Sequence, residues 1–316
     1  MRFVAVKLLR SAVTMWLVIT FVFVVLRISG DPTDILLPDD VAQEVREFYR
    51  VKWGLDQSLW QQYLAYWKAL STGDFGISLR SGLPAWEMVM ERAPKTLLLG
   101  ACGLAMALFI GIPLGVIAAQ SQGSALDRGV MSFAVFGFSM PNFFLGIILI
   151  LVFSLHLRWL PSSGSGTLAH LVMPAFTLGT AFAAQIARFT RSAMIDVSSR
   201  AYMRTARSKG AGTLRRVVSH AFPNAVVPIV TVIGLKVGEL IGGAVVVETV
   251  FAWPGLGRLV TIAVANRDLA LVQAILILIA ATMIATNLIV DLMYGWLDPR
   301  VRDARNAAGH GREARA

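Results

Sequence analysis

Ala201-Tyr202-Met203-Arg204-Thr205-Ala206-Arg207-Ser208-Lys209-Gly210, continued by Ala211-Gly212-Thr213-Leu214-Arg215-Arg216 and closed by His220-Ala221-Phe222-Pro223, is a basic stretch between two long apolar runs. Tyr202, Met203, Ala206, Gly210, Leu214, Val217 and Val218 recur at helical spacing, which predicts one shared helical side. Arg204, Arg207, Lys209, Arg215 and Arg216 carry the charge. Gly210 suits the left-handed position that ends a helix, and Thr213 suits the cap of the next. The stretch therefore reads as two short helical pieces joined by a glycine turn, outside the bilayer between two spans.

The rest of the chain sets this segment in lipid. Of 316 residues, 56% are hydrophobic and 15% charged, and the mean hydropathy is +0.66. Soluble domains carry about 25% charged residues, so a conventional soluble α/β enzyme is excluded. The apolar residues gather in runs of about 18 or more, the length that crosses a hydrocarbon core. Six spans are predicted, near residues 11–28, 96–119, 130–155, 171–187, 226–247 and 271–296. Pro174 and Gly179 interrupt the fourth. The first follows Arg2, Lys7 and Arg10, and no small-residue cleavage pattern follows it, so it reads as an uncleaved span.

Loop charge gives an orientation. The N-terminal tail, residues 120–129, residues 188–224 and the C-terminal tail hold about seventeen Lys or Arg against about five acids, and the positive side is cytoplasmic. Both termini are expected there, as an even number of spans requires. The expected organisation is an N-tail and first span over 1–29, an external segment over 30–95, a core of five helices over 96–297 with the basic loop at about 188–224, and a cytoplasmic tail over 298–316. Within the external segment, 41–49 and 59–70 have helical patterns, Gly73-Asp74-Phe75-Gly76 forms a turn, and Ser81-Gly82-Leu83-Pro84 opens another helix. The segment is too long for a simple connector. It is either an inert cap or a platform where a delivery protein docks.

The net charge of +10 does not indicate nucleic acid, because it sits beside apolar spans and no nucleic-acid module accompanies it. Cys102 alone forms neither an internal disulfide nor a metal cluster. No phosphate-binding glycine loop ending in Gly-Lys-Ser or Gly-Lys-Thr is present, nor a Gly-x-Ser-x-Gly elbow, and His156, His170, His220 and His310 lack zinc-ligand spacing. The sequence thus assigns the chain no catalytic residue, cofactor or metal.

The opening stretch resembles the coupling loop of ATP-binding-cassette importer permeases: Glu-Ala-Ala, three residues, Gly, nine residues, an aliphatic, one residue, Leu-Pro. Arg204-Thr205-Ala206, Gly210, His220 and Phe222-Pro223 take those places at the same spacing, with Arg204 and His220 departing from the usual letters. The basic form is similar to the dipeptide, oligopeptide and nickel branch. So are Gly54-Leu55-Asp56-Gln57, Gln62-Tyr63, Gly73-Asp74-Phe75-Gly76 with Ser78, and Pro94 with Thr96. Further matches are Ser139-Met140-Pro141-Asn142-Phe143, Trp159-Leu160-Pro161, Met173-Pro174-Ala175, Glu248-Thr249-Val250-Phe251-Ala252-Trp253-Pro254-Gly255-Leu256-Gly257 and Asp298-Pro299-Arg300.

The resemblance implies an all-α membrane protein of the type I importer permease fold, the first of two permease subunits, in the bacterial cytoplasmic membrane. It implies four partners: a second, similar permease, two cytoplasmic ATPase subunits that use ATP and Mg, and an external substrate-binding protein. Peptides are the first expected substrate, with nickel complexes and other small solutes behind them. Tyr202, Met203, Arg204, Thr205, Ala206, Arg207, Gly210, Leu214 and Pro223 are then the candidate coupling residues, with Arg204 expected to meet a carboxylate or carbonyl in its ATPase cleft.

Charges inside spans default to a functional hypothesis. Lys236 and Glu239, three apart, either pair against protein or line the path. Asp291 is expected to pair with Arg300 or Arg302. Phe138, Met140, Phe143 and Phe144 either gate the path or pack helices. Gly234, Gly238, Gly242 and Gly243 form either a tight seam or a sliding one. The rival classes are a structural scaffold and a secondary, ion-coupled transporter. The latter calls for inverted repeats and intramembrane ion sites, and no convincing repeat is present.

Overall fold

The computed structural model describes residues 2–28, 33, 41–52, 54–78 and 80–297, with side chains placed except at 2–4, 26, 138, 231, 235–241 and 291–297. Among the described residues the chain is mostly helical, with no strand and one isolated β-bridge between Ile77 and Pro84. In order the helices are α1 (Arg2–Ile28), α2 (Gln43–Lys52), α3 (Leu59–Ser71), α4 (Ala85–Gln120), α5 (Ala125–Ser139), α6 (Asn142–Leu149), α7 (Ala169–Ser198), α8 (Ala201–Ser208), α9 (Thr213–Arg215), α10 (Phe222–Val250), α11 (Leu256–Ala265) and α12 (Leu269–Leu297). Ile150–His156 and Arg216–Ala221 are wound as π-helix. Five helical stretches are long and apolar enough to cross a membrane, and α5 with α6 and its extension makes a sixth if that bent pair is one span.

Two of the expected spans differ in shape. The third is not straight, because its two helical halves meet at 97° around Met140 and Pro141. Proline disfavours helical geometry in the residue before it, and Met140 is extended (φ −77°, ψ 122°). The fourth is longer and unbroken, since α7 runs for 30 residues through both Pro174 and Gly179. The second also begins early. At 36 residues and 1.5 Å per residue, α4 is about 54 Å long, well beyond a hydrocarbon core of about 30 Å.

The chain divides into two compact units. The first comprises Met1–Thr96 with Pro254–Ile284. Its core joins Ala85, Val89 and Ala93 of α4 to Leu256 and Ala263 of α11 and Leu271, Ala274 and Ile275 of α12. Two buried polar contacts fix it. Thr96 Oγ1 accepts the Leu256 N–H at 2.7 Å, and the Ser78 hydroxyl donates to the Asp268 carboxylate, which also accepts the Leu271 N–H at the start of α12.

In the same unit α3 lies against α1 through Thr20 and Tyr63, whose hydroxyls are 2.7 Å apart, and through Phe23 between Tyr63 and Tyr66. Ser58 and Gln61 form a complete capping box at its start. Trp60, Tyr63, Tyr66 and Trp67 give this helix the composition of a membrane–water interface. The Gly73–Gly76 turn is closed by Asp74, whose carboxylate accepts the Gly76 N–H at 2.9 Å.

The second unit comprises Leu97–Trp253 with Ala285–Ala316. Its larger core gathers Leu99 and Ala107 of α4, Met173, Leu178, Phe182 and Ile186 of α7, and Val247, Phe251 and Trp253 at the end of α10. Glycines let α4 and α7 meet backbone to backbone. A Cβ added at Gly111 would stand 2.7 Å from the Ala183 carbonyl oxygen, and one at Gly115 would stand 2.5 Å from that of Ala187. From the other side, a Cβ at Gly179 would lie 2.8 Å from the Gly103 carbonyl oxygen.

On α10, where the sequence places a glycine seam, Gly234 is close to Val290 of α12 and Gly243 to Leu178 and Phe182 of α7, whereas Gly242 faces open space. Gly238 lies outside the residues whose side chains are described. The tightest seam is therefore between α4 and α7. Gly115→Val should lower thermal stability in detergent by about 1–3 kcal/mol through overpacking. Gly129→Val, with nothing within 4 Å of the added Cβ, should change it far less; equal melting of the two variants would refute the seam.

Candidate functional site

The candidate coupling residues lie where α7, α8 and α10 converge. α7 ends at Ser198, and after two residues α8 begins. Met203, on the first turn of α8, is buried against Ala193, Met194 and Val197 of α7, Ala221 at the end of the second π-helix, and Ala225 and Ile229 of α10. Burying such a side chain contributes about 2 kcal/mol. Met203 therefore ties the polar loop to two spanning helices at once.

Gly210 ends α8 as its side-chain-free backbone allows. Its φ is +77°, its N–H bonds to the Arg207 carbonyl at 3.0 Å, and the Ala211 N–H bonds to the Ala206 carbonyl at 3.1 Å. This pair of bonds is the Schellman closure, which satisfies carbonyls left open at a helix end. The next piece starts differently from the sequence expectation. Gly212, not Thr213, holds the cap position, and the Thr213 hydroxyl accepts from Arg216 Nη2 at 3.0 Å. Thr213 is thus the first helical residue, and its oxygen serves an arginine rather than a backbone N–H. Pro223 stands at the start of α10, where the missing N–H costs nothing.

The helical side predicted for the loop divides. Met203 is buried and Val217 half-buried, whereas Tyr202, Leu214 and Val218 are exposed, Leu214 at 77%. There are two physical reasons: Tyr202 and Val218 each sit next to a more buried residue, about 100° away around the same helix, and Gly210 turns the chain, so spacing counted straight through it does not describe one face. Thr205 bonds back to the Ala201 carbonyl, and Ala206 is half-buried. Arg204 and Arg207 line a cavity of about 180 Å³ with Gln120, Ser198, Met203, Arg216, Val217 and Ala221.

A contact invisible to motif reading braces this end. Arg191 of α7 donates from Nε and Nη2 to the two carboxylate oxygens of Asp127 at 2.6 and 2.7 Å. Asp127 is buried and also accepts the Gly123 N–H at 2.9 Å, while its own N–H is capped by Ser124. The pair spans 64 residues. The sequence signal was local: Ser124-x-x-Asp127 reads as a helix start, but nothing in it names Arg191.

The candidate path residues are less gathered. Met140 lines an apolar cavity of about 260 Å³ between α4, α5, α6 and α7, with Ile110, Phe133, Phe136 and Phe176 among its walls. Phe143 and Phe144 are each 49% exposed and stand outside that lining. The side chains of Phe138, Lys236, Glu239 and Asp291 lie outside the described residues; Lys236 and Glu239 sit within continuous α10.

Comparison with known proteins bears on the whole chain. The family described as binding-protein-dependent transport system inner membrane component matches residues 111–303. The chain is 40% identical to the dipeptide transport system permease protein DppB of Escherichia coli (strain K12), over 90% of this chain and 93% of that protein. It is also 40% identical to the glutathione transport system permease protein GsiC of Escherichia coli (strain K12), over 96% of this chain and 99% of that one. Among solved structures it resembles two crystal forms of the MetNI methionine ABC transporter in inward-facing conformations. One matches with a TM-score of 0.59 at 18% identity, over 67% of this chain and 96% of that chain. The other has a TM-score of 0.52 at 22% identity, over 65% and 95%. At such identities these two show the fold, which is the one the sequence resemblance implied.

Removal of one side of the Asp127–Arg191 pair leaves the other half-sheltered and unpaired. Arg191→Ala should therefore lower thermal stability more than Arg188→Ala, and Asp127→Asn should add little to Arg191→Ala in a double-mutant cycle. Additive losses would show that the two side chains do not act together. With the family match over 111–303 and the relatives aligned along nearly the full length, the chain belongs to the inner membrane components of binding-protein-dependent transport systems, as a permease subunit of the ABC importer type.

Proposed function

We propose that this permease subunit carries short peptides inward across the bacterial cytoplasmic membrane, and that residues 201–223 receive the force of ATP-driven closure from separate ATPase subunits. The peptide assignment is supported by the two relatives, named for dipeptide and glutathione transport. The observation that carries the coupling assignment is the double attachment of Met203 to α7 and α10. A push on α8 then acts on two spans together. Tyr202, Leu214 and Val218 are left exposed on the same loop, which gives an ATPase cleft apolar side chains to grip.

The partners in this reading are a second, similar permease, two cytoplasmic ATPases that bind ATP and Mg, and an external binding protein that delivers the peptide. The chain itself hydrolyses nothing. Both termini and the basic loops face the cytoplasm, in keeping with their charge. Alternating access then needs an element with two arrangements that both sites bias. The assembly formed by α7, α8 and α10 is that element.

Uptake of a labelled dipeptide by cells carrying the complete system tests both parts. Gly210→Val forces a β-branched residue to a φ of +77°, a strained position for any side chain but glycine's. That variant and Leu214→Asp should each reduce uptake at least about tenfold, each 1.4 kcal/mol of lost coupling being one decade, while insertion and expression hold. Unchanged uptake in both variants would overturn the coupling role. Uptake of a nickel chelate in place of the dipeptide would overturn the substrate assignment alone.

A further inference from the structure

The cavity behind α8 brings two of the candidate coupling residues, Arg204 and Arg207, together with a third arginine, Arg216. Arg204, Arg207 and Arg216 line it, no acidic side chain does, and its apolar walls are Met203, Val217 and Ala221. Among the described residues no salt bridge to any of the three arginines is present. Arg216 spends Nη2 on Thr213, and its Nε is shielded from solvent without a hydrogen-bond partner. A sheltered guanidinium N–H with no acceptor is costly, and native structures meet that cost with an ion, a water or a ligand.

The position of the cavity narrows the choice. Gln120 is the last residue of α4, Ser198 the last of α7, and Ala221 the residue before α10. All three helices contribute to candidate spans, and Gln120 directly follows the predicted span 96–119, so under the proposed orientation the cavity lies on the inner side, beside the end of the apolar bundle. That level holds lipid head groups, and basic pockets between spans on the inner side take anionic ones. Planar guanidinium groups match phosphate oxygens two at a time. We propose that Arg204, Arg207 and Arg216 form a binding site for a phosphate group, supplied by the head group of an acidic phospholipid of the inner leaflet. The apolar walls receive the first carbons of the ester. The lipid fills the space between the coupling loop and the ends of α4 and α7, so the loop's attachment includes a lipid.

This inference rests on the orientation proposed above only for the choice of leaflet. Its test involves no transport, so the two readings fail separately. The full chain, purified with the subunits that accompany it, is equilibrated in mixed micelles of phosphatidylglycerol and phosphatidylcholine, and bound lipid is counted by native mass spectrometry. Wild type should retain phosphatidylglycerol preferentially. Each arginine near the membrane surface is worth about fivefold in affinity, so Arg207→Gln with Arg216→Gln should weaken retention about twenty-five-fold. Lys209→Gln with Arg215→Gln removes the same charge from elsewhere on the loop and should leave retention intact.

Equal loss in that control pair, or no loss in either pair, overturns the site in favour of diffuse surface charge. Thermal stabilisation of wild type by inorganic phosphate, with no preference between the two lipids, upholds the phosphate site and assigns it a soluble source. Protection of the arginines from phenylglyoxal by the ATPase subunits alone, with neither lipid nor phosphate bound, shows a protein contact and overturns the proposal. Should the double variant fail to assemble, Arg216→Lys decides: it keeps the charge but loses the planar fork, and it should retain measurably less phosphatidylglycerol than wild type, equal retention counting against the site.

Discussion

Burial of Met203 against the end of α7 and the start of α10 is the contact that makes the basic loop part of the membrane wall. A polar loop between two spans is ordinarily free to move by itself, since loops carry few buried contacts. Here a hydrophobic anchor on the first turn of α8 removes that freedom, and the Schellman closure at Gly210 fixes where the chain turns back. The loop, the last turns of α7 and the first turns of α10 are thereby packed into one body. The Asp127–Arg191 pair extends the same body to the loop between α4 and α5.

What α7 does at its other end follows from its contact with α4. Facing glycines bring the two backbones together without intervening side chains. Close packing of this sort in lipid gains from van der Waals contact rather than from the hydrophobic effect, and it resists small changes of distance because interiors are packed at high density. If α8 takes the proposed coupling role, a tilt delivered through it is shared between helices and not absorbed by side-chain adjustment. Under the proposed reading, this is why a loop outside the hydrocarbon is able to alter the path within it.

Much of this was legible in the sequence because it rested on local rules. Long apolar runs gave the spans, Gly210 gave the turn at φ +77°, and the patterns at 41–49 and 59–70 gave α2 and α3. The family resemblance was likewise readable, since spacing and identity coincide along nearly the whole chain. The misses have particular causes. The third predicted span gave no sign of a bend at Pro141, because the size of the bend depends on what both halves pack against. Pro174 looked disruptive, yet α7 carries it because it stands only five residues after the start of the helix and is buried among neighbouring helices. The shared side divided because neighbours such as Tyr202 and Met203 point different ways around one helix, and because a glycine turn resets the helical phase before Leu214. Asp127 with Arg191, and Gly111 with Gly115 against Ala183 and Ala187, are long-range pairings that no spacing rule encodes.

The corner at Met140 and Pro141 has a consequence for solvent. Proline has no amide hydrogen to offer, so the carbonyl of Gly137 cannot find its usual donor one turn ahead. Oxygen atoms left open in this way have no place against acyl chains, where every backbone dipole must be answered from within the protein. The elbow between α5 and α6 therefore has to look onto moisture or onto protein. Gly137 and Met140 line the cavity held between α4, α5, α6 and α7, so the corner has its own neighbouring helices to look onto.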